Sequence, residues 1–182
     1  MRINIREIVK DILSIFKKGE NGIFYLPQTN DFYLIYNEEI TIILVIEQDK
    51  NIENFIVDGN FYQHDDIINI NITYNPKNKT KMLYDLIGEL NEVLAHELRH
   101  LFQVINNTHD LNSDESSSFS YYSQPHEIDA QISGFKRIAK LQKKPFKDVV
   151  INWFKTHKDI HKLTNSEVNK IVNILISKSG NN

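Results

Sequence analysis

Cysteine is absent from the 182-residue chain. That excludes disulfides and thiolate-bound metals, so any metal site must be built from His, Asp or Glu. Long apolar runs are missing too. None approaches the roughly 20 residues needed to span a bilayer, and no membrane partner is expected. The opening segment, MRINIREIVKDILSIFKK, mixes charged with apolar residues and lacks the unbroken apolar stretch of a signal peptide. A lack of cysteine suits a reducing compartment, and the expectation is a cytoplasmic protein. Asn, Ile and Lys are abundant, a coding bias of AT-rich genomes such as those of some bacteria and their phages. What is present is ordinary for a folded chain. Hydrophobic residues make up 41% and charged residues 25%, a balance that builds a real core and argues against disorder. The length suits one domain spanning 1–182, and no repeat or linker divides it.

The net charge of −3 hides an asymmetry. Residues 1–131 carry 10 Lys/Arg against 21 Asp/Glu, a balance of −11, and residues 132–182 carry 11 against 3, a balance of +8. The basic residues are mostly lysines spread along amphipathic helices, with no arginine-rich cluster. They read as solvated faces rather than as a nucleic-acid surface.

The pattern predicts an α+β fold: an N-terminal helix and a small, mostly antiparallel sheet packed on a long helix, with a helical C-terminal half. Ile5, Ile8, Ile12, Leu13 and Phe16 recur at helical spacing over 3–18, and Gly19 to Gly22 breaks the helix. Strands are predicted at about 22–26, 31–37, 40–48, 53–58 and 61–74. Asp58-Gly59 reads as a two-residue hairpin turn. Ile68, Ile70, Ile72 and Tyr74 alternate with Asn69, Asn71 and Thr73, the pattern of a half-buried strand. Helices follow at about 80–106, 125–142, 145–157 and 165–178. Pro125 suits a first helical turn, and Thr164 with Glu167 can form a capping box. The polar loop at about 108–120 is expected to be mobile.

The long helix contains His96-Glu97-Leu98-Arg99-His100. Residues four apart on a helix are neighbours, so both imidazoles can share one metal ion. Glu97 lies about 100° further round, beside the metal rather than under it. A carboxylate there can take a proton from water that zinc has acidified to a pKa of about 7. A third ligand is sought in Tyr121-Tyr122-Ser123-Gln124-Pro125-His126-Glu127-Ile128-Asp129-Ala130. Glu127 shares a face with Ala130 and Gly134, whose small side chains permit close helix approach. His126 is the next choice. Asp129 lies beyond the stripe of Ile128, Ile132, Phe135 and Ala139.

HELRH followed by a glutamate on a second helix resembles the gluzincin arrangement of zincin metallopeptidases. Glu127-Ile128-Asp129-Ala130 resembles the E-x-x-A motif of compact ImmA/IrrE-type and phage-encoded zincins. The resemblance covers about residues 80–142. It implies Zn2+ held by His96, His100 and Glu127, and a sheet edge strand that binds extended peptide, for which 66–74 is placed correctly in sequence. Larger gluzincins carry an Asp four residues after the ligand glutamate. Gln131 stands there instead, and Glu92 or Glu89 is a substitute to orient His96. Candidates for stabilising an oxyanion are Tyr121, Tyr122, His109 and His126.

The reading is a zinc-dependent hydrolase, a metallopeptidase (protease) acting on a protein or peptide, with Glu97 as general base. The alternatives are a non-catalytic, zinc-stabilised structural or interaction protein, for example of a phage particle, and a nucleic-acid-associated factor using the basic C-terminal helices.

Overall fold

In the computed structural model, residues 4–26, 34–35, 38–108 and 117–180 are described. The fold is α+β. The helix α1 spans Ile5–Lys18 and buries Ile8, Val9, Ile12 and Phe16, the expected stripe, with Ile5 and Leu13 partly buried beside it. It ends at Gly19, whose φ of 81° lets its N–H reach the Phe16 carbonyl at 3.1 Å. Four strands form one mixed sheet: β1 (Gly22–Tyr25), β4 (Thr41–Gln48), β5 (Phe55–Tyr62) and β6 (Ile67–Tyr74). Between β1 and β4, β2 (Leu34–Ile35) and β3 (Glu38–Glu39) pair as a separate ribbon. The rest of the strand predicted over 31–37 lies outside the described residues.

The sheet order is β1-β4-β6-β5. Only β4 and β6 run parallel, and the other two pairings are antiparallel. Ile68, Ile70, Ile72 and Tyr74 are buried, at 1% exposure or less, while Asn69, Asn71 and Thr73 are half-buried on the other face. The alternation read from the sequence therefore sets which side of β6 meets the core.

Two expectations fail here. Asp58-Gly59 is not a turn: β5 runs straight through it, with Asp58 opposite Asn71 and Gly59 opposite Ile70. The chain reverses instead over residues 63–66, where Asp66 takes the left-handed conformation, φ 50°. Nor is 66–74 the edge strand. β6 is interior, between β4 and β5, and β5 is the edge beside the long helix. The second follows from the pairing order of the strands, and the first from a contact that no local signal carries. A Cβ on Gly59 would lie 2.4 Å from Val93 Cγ1 and 2.8 Å from Glu97 Cγ, so the glycine is there for helix-on-strand approach.

The long helix α2 spans Leu83–Ile105, α3 spans Ser118–Tyr122, α4 Pro125–Gln142, α5 Phe146–His157 and α6 Asn165–Ser179. Pro125 starts α4 and the Thr164–Glu167 capping box starts α6, both as read. No described helix is long and apolar enough to cross a membrane. The described core has two parts. One joins α1, the sheet and the apolar face of α2 through Leu86, Leu90, Leu94 and Leu101. The other joins α4, α5 and α6 around Phe135, Val150, Phe154 and Ile171. Between them, α2 packs along α4. Gly134 permits that approach, since a Cβ there would stand 2.7 Å from Glu92 Oε1 and 3.1 Å from the Glu92 carbonyl oxygen.

Replacing Gly59 by Ala sets two effects against each other. Restricting the unfolded chain stabilises by about 0.4–1 kcal/mol, whereas overpacking costs about 1–3 kcal/mol. The clash wins, so Gly59→Ala should lower the stability by about 1–2 kcal/mol in urea denaturation. An unchanged midpoint would show that β5 and α2 are not in this contact.

Candidate metal centre

Where α2 meets α4, the seam is polar. His96 and His100, one turn apart, send their Nε2 atoms to within 3.0 Å of each other. Glu127, in the first turn of α4, meets both: its Oε2 is 3.4 Å from His96 Nε2 and its Oε1 3.2 Å from His100 Nε2. Glu127 is 3% exposed and His100 7%. Ligand atoms of the three residues all lie within 4.8 Å of one another, and the group could hold a metal ion. Among the described residues it is the only such His/Asp/Glu group.

The other candidates fall away by position. His126 is buried, but its Nε2 stands 3.6 Å from Glu127 Oε1 and it is not part of the group. Asp129 turns aside to Arg99, whose Nε and Nη2 reach it at 2.6 and 3.1 Å. His109, and most of the loop expected to be mobile, lie outside the described residues.

What orients the imidazoles differs from the expectation. Gln131 does not reach them; its Nε2 points to the Tyr122 carbonyl at 3.5 Å. Neither Glu89 nor Glu92 bonds to His96 among the described contacts. Gln103 does this work for His100: its Oε1 is 2.9 Å from His100 Nδ1. The Gln103 amide nitrogen is in turn tied to the His126 carbonyl and to Asp129 Oδ2, both at 2.9 Å. With its nitrogen donating twice, the amide oxygen accepts from Nδ1–H. Held this way, His100 turns its Nε2 to the centre of the group. Arg99, Asp129 and Gln103 thus form one relay that fixes a ring. Only a three-residue step from His100 to a polar residue hinted at it.

The field is dominated by carboxylates. Burial and the hydrogen bonds from His100 and His96 act oppositely on Glu127, and the hydrogen bonds win, holding it well below the usual carboxylate range. Burial opposes charge on His96, yet its bond to Glu127 and the charges of Glu97, Glu127 and Glu92 raise it to about 9. Glu127 Oε2 is fully buried, and its approach to His96 Nε2, at 3.4 Å, is long for a hydrogen bond. Two imidazoles, a buried carboxylate and two further acids form a donor set suited to a cation.

Glu97 stands beside the group, not in it. It packs on Gly59 and accepts the backbone N–H of Phe61 on β5. Burial pushes its pKa up, the two imidazoles oppose that, and Glu127 adds to it. A raised carboxyl is poised for proton transfer. Tyr121 hydrogen-bonds Glu127, and burial together with that acid raises its phenol so that it stays protonated. Tyr122 is directed elsewhere, its hydroxyl 3.0 Å from His161 Nδ1.

His96, Glu97 and Tyr121 open on a cleft of about 580 Å³ between β5, α2 and the end of α5. Its far wall is Trp153, with His157 stacked on it at 4.4 Å and His161 at 5.4 Å. Helical spacing alone does not show which neighbour a face meets, so nothing in the sequence of α5 singles out Trp153 as a cleft wall. Compared with known proteins, the chain matches no family model, no curated protein and no solved structure.

Metal analysis should find one divalent ion per chain, lost in His96→Ala, His100→Ala and Glu127→Ala. Gln103→Ala should weaken binding about 10–100-fold while leaving the three ligands in place. Retention of the ion in both histidine variants would remove the site. Because His96 must shed its proton to bind, affinity should rise with pH from about 6 toward the raised value of about 9. Calorimetry in buffers of different ionisation enthalpy checks this, and a pH-independent affinity would contradict it.

Proposed function

We propose that the protein is a zinc-dependent peptidase of the minimal gluzincin type, cutting a peptide bond with Glu97 as general base. The observation that carries the reading is the convergence of His96, His100 and Glu127, with Glu97 beside them at the cleft. Zinc ligands about 2.0–2.1 Å from a tetrahedral ion stand about 3.3 Å from one another. Here the two imidazole nitrogens are 3.0 Å apart, each meets one of the two Glu127 oxygens, at 3.4 and 3.2 Å, and one ligand atom from each residue falls within 4.8 Å of the others. The buried Glu127 Oε2 also fits, because a metal would supply it with a closer partner. With no cysteine in the chain, a His₂Glu set is the natural zinc site.

Zinc would supply Lewis acidity and a water of lowered pKa. The remaining steps belong to the protein. His96, His100 and Glu127 fix the position of the reaction. Glu97, aimed by the Phe61 N–H, takes a proton from the attacking water and passes it to the leaving amine. Tyr121, a protonated phenol beside Glu127, is the candidate donor to the oxyanion. The edge strand β5, which lines the cleft with α2, offers unpaired backbone groups to an extended substrate. The resemblance of HELRH and Glu127-Ile128-Asp129-Ala130 to ImmA/IrrE-type zincins agrees with this.

One observation favours a non-catalytic alternative. The same three residues join α2 to α4 between two apolar clusters, so a metal there would also stabilise the fold.

Glu97→Gln separates the two. It should keep the fold and the zinc, since Glu97 is not a ligand and Gln is close in shape, but lose about 10²–10⁴-fold in hydrolysis. A peptide-library digest of parent and variant, with zinc measured in both, gives the answer. Equal cutting by parent and variant would sink the mechanism.

A further inference from the structure

We propose that the cleft seats a cationic group of the substrate peptide, a lysine or arginine side chain or a free N-terminal ammonium, against Glu92 and Glu89. The inference deepens the peptidase reading and rests on it for taking the ligand to be a peptide.

Asp85, Glu89, Glu92 and His96 follow one another along α2 at steps of four, three and four, so they share a face. All four line the cleft. The metal group therefore sits at the end of an acidic stripe. Glu92 is the decisive member. It is 7% exposed and lines the cleft, and burial pushes its carboxyl up to about 8 against the pull of His96, with Glu89 and Glu97 adding to the rise. Gly134 lies against one side of it, and the other side faces the cleft. Charge on a buried carboxylate is costly, and a ligand that pairs with it recovers that cost.

The positive neighbour of Glu92 is His96, which is shared with Glu127. Among the described residues, no lysine or arginine lines the cleft. Five carboxylates do: Asp58, Asp85, Glu89, Glu92 and Glu97. Of the imidazoles there, His96 belongs to the metal group. Burial and the nearby His157 push His161 toward its neutral form. His157 lies flat on Trp153. A concave, partly apolar wall focuses the field of such acids on whatever enters. The rim carries Ile56 and Ile160, 43% and 66% exposed, which suit the aliphatic stem of a lysine or arginine.

The test uses the zinc-loaded Glu97→Gln protein, in which turnover is expected to fall about 10²–10⁴-fold. Trp153 is the only tryptophan in the chain and lines the cleft, so its emission reports occupancy. The probes are alanine pentapeptides capped at both ends, with Lys, Arg, norleucine or Glu at the centre. Pentaalanine is added with its N-terminus capped and free. Lys and Arg peptides should bind about tenfold or more tighter than norleucine, and Glu weakest. Glu92→Gln and Glu89→Gln should each remove most of that gap. Glu92→Gln keeps the shape of an acid that burial already pushes toward its neutral form, so it should fold at least as well as the parent, and the half-buried Glu89 gives a second reading. If the gain comes only from freeing the pentaalanine N-terminus and vanishes in the same variants, the seated cation is the terminal ammonium. Equal affinity across the probes, no binding of any of them, or a cation preference that survives both substitutions overturns the proposal. Because the readout is binding and not hydrolysis, failure of the cation seat and failure of the peptidase chemistry are told apart. A protein that prefers cationic peptides but cuts nothing loses the chemistry and keeps the site. One that cuts without regard to charge does the reverse.

Discussion

A single carboxylate, Glu127, held between two imidazoles in the seam of α2 and α4, is the interaction around which the rest is arranged. Water is almost excluded there, and an isolated charge would be expensive. The surrounding structure meets that expense. Ala130 and Gly134 bring the helices close, Gln103 fixes one ring, and Ser133 and Arg137 tie α4 to the Ala95 carbonyl and to Asn91 at 3.1 and 3.0 Å. The Arg99–Asp129 pair is only partly buried, so its direct contribution is small. Its value is positional, since it holds the carboxylate that Gln103 leans on.

α2 satisfies two neighbours of opposite character. Its leucines face the sheet, and its histidines, Asn91, Glu92 and Gln103 face α4. A helix buried on both sides usually reads as apolar all round. This one does not, because one of its partners is a polar seam. The cleft then forms where the seam runs out toward β5.

Local signals in the sequence were good guides wherever short-range periodicity decides structure. The stripe of α1, the alternation in β6, Pro125 opening α4 and the Thr164–Glu167 box all appear as read. That His96, His100 and Glu127 come together was also legible, because a one-turn step and a run of small residues are local patterns. Asp58-Gly59 misled because its glycine answers a helix more than 30 residues away, through Val93 and Glu97. The edge strand was misassigned for a related reason: which strand ends a sheet depends on pairing order, and nothing in 67–74 itself records that β5 lies outside it. Gln103 and the Trp153 wall were invisible in the same way, as contacts between elements rather than within one.

Gly59 also acts as an index mark on the edge strand. A strand paired on one side only can slip along its neighbour. Sliding β5 by one residue would turn Asp58 or Asn60 toward α2, and sliding it by two would drive Val57 or Phe61 into the space now filled by Val93 and Glu97. Only one setting leaves that space open. The same setting brings the Phe61 N–H to the Glu97 carboxylate, so the alignment of the strand and the aim of the acid are a single degree of freedom, locked by the absence of one methyl group.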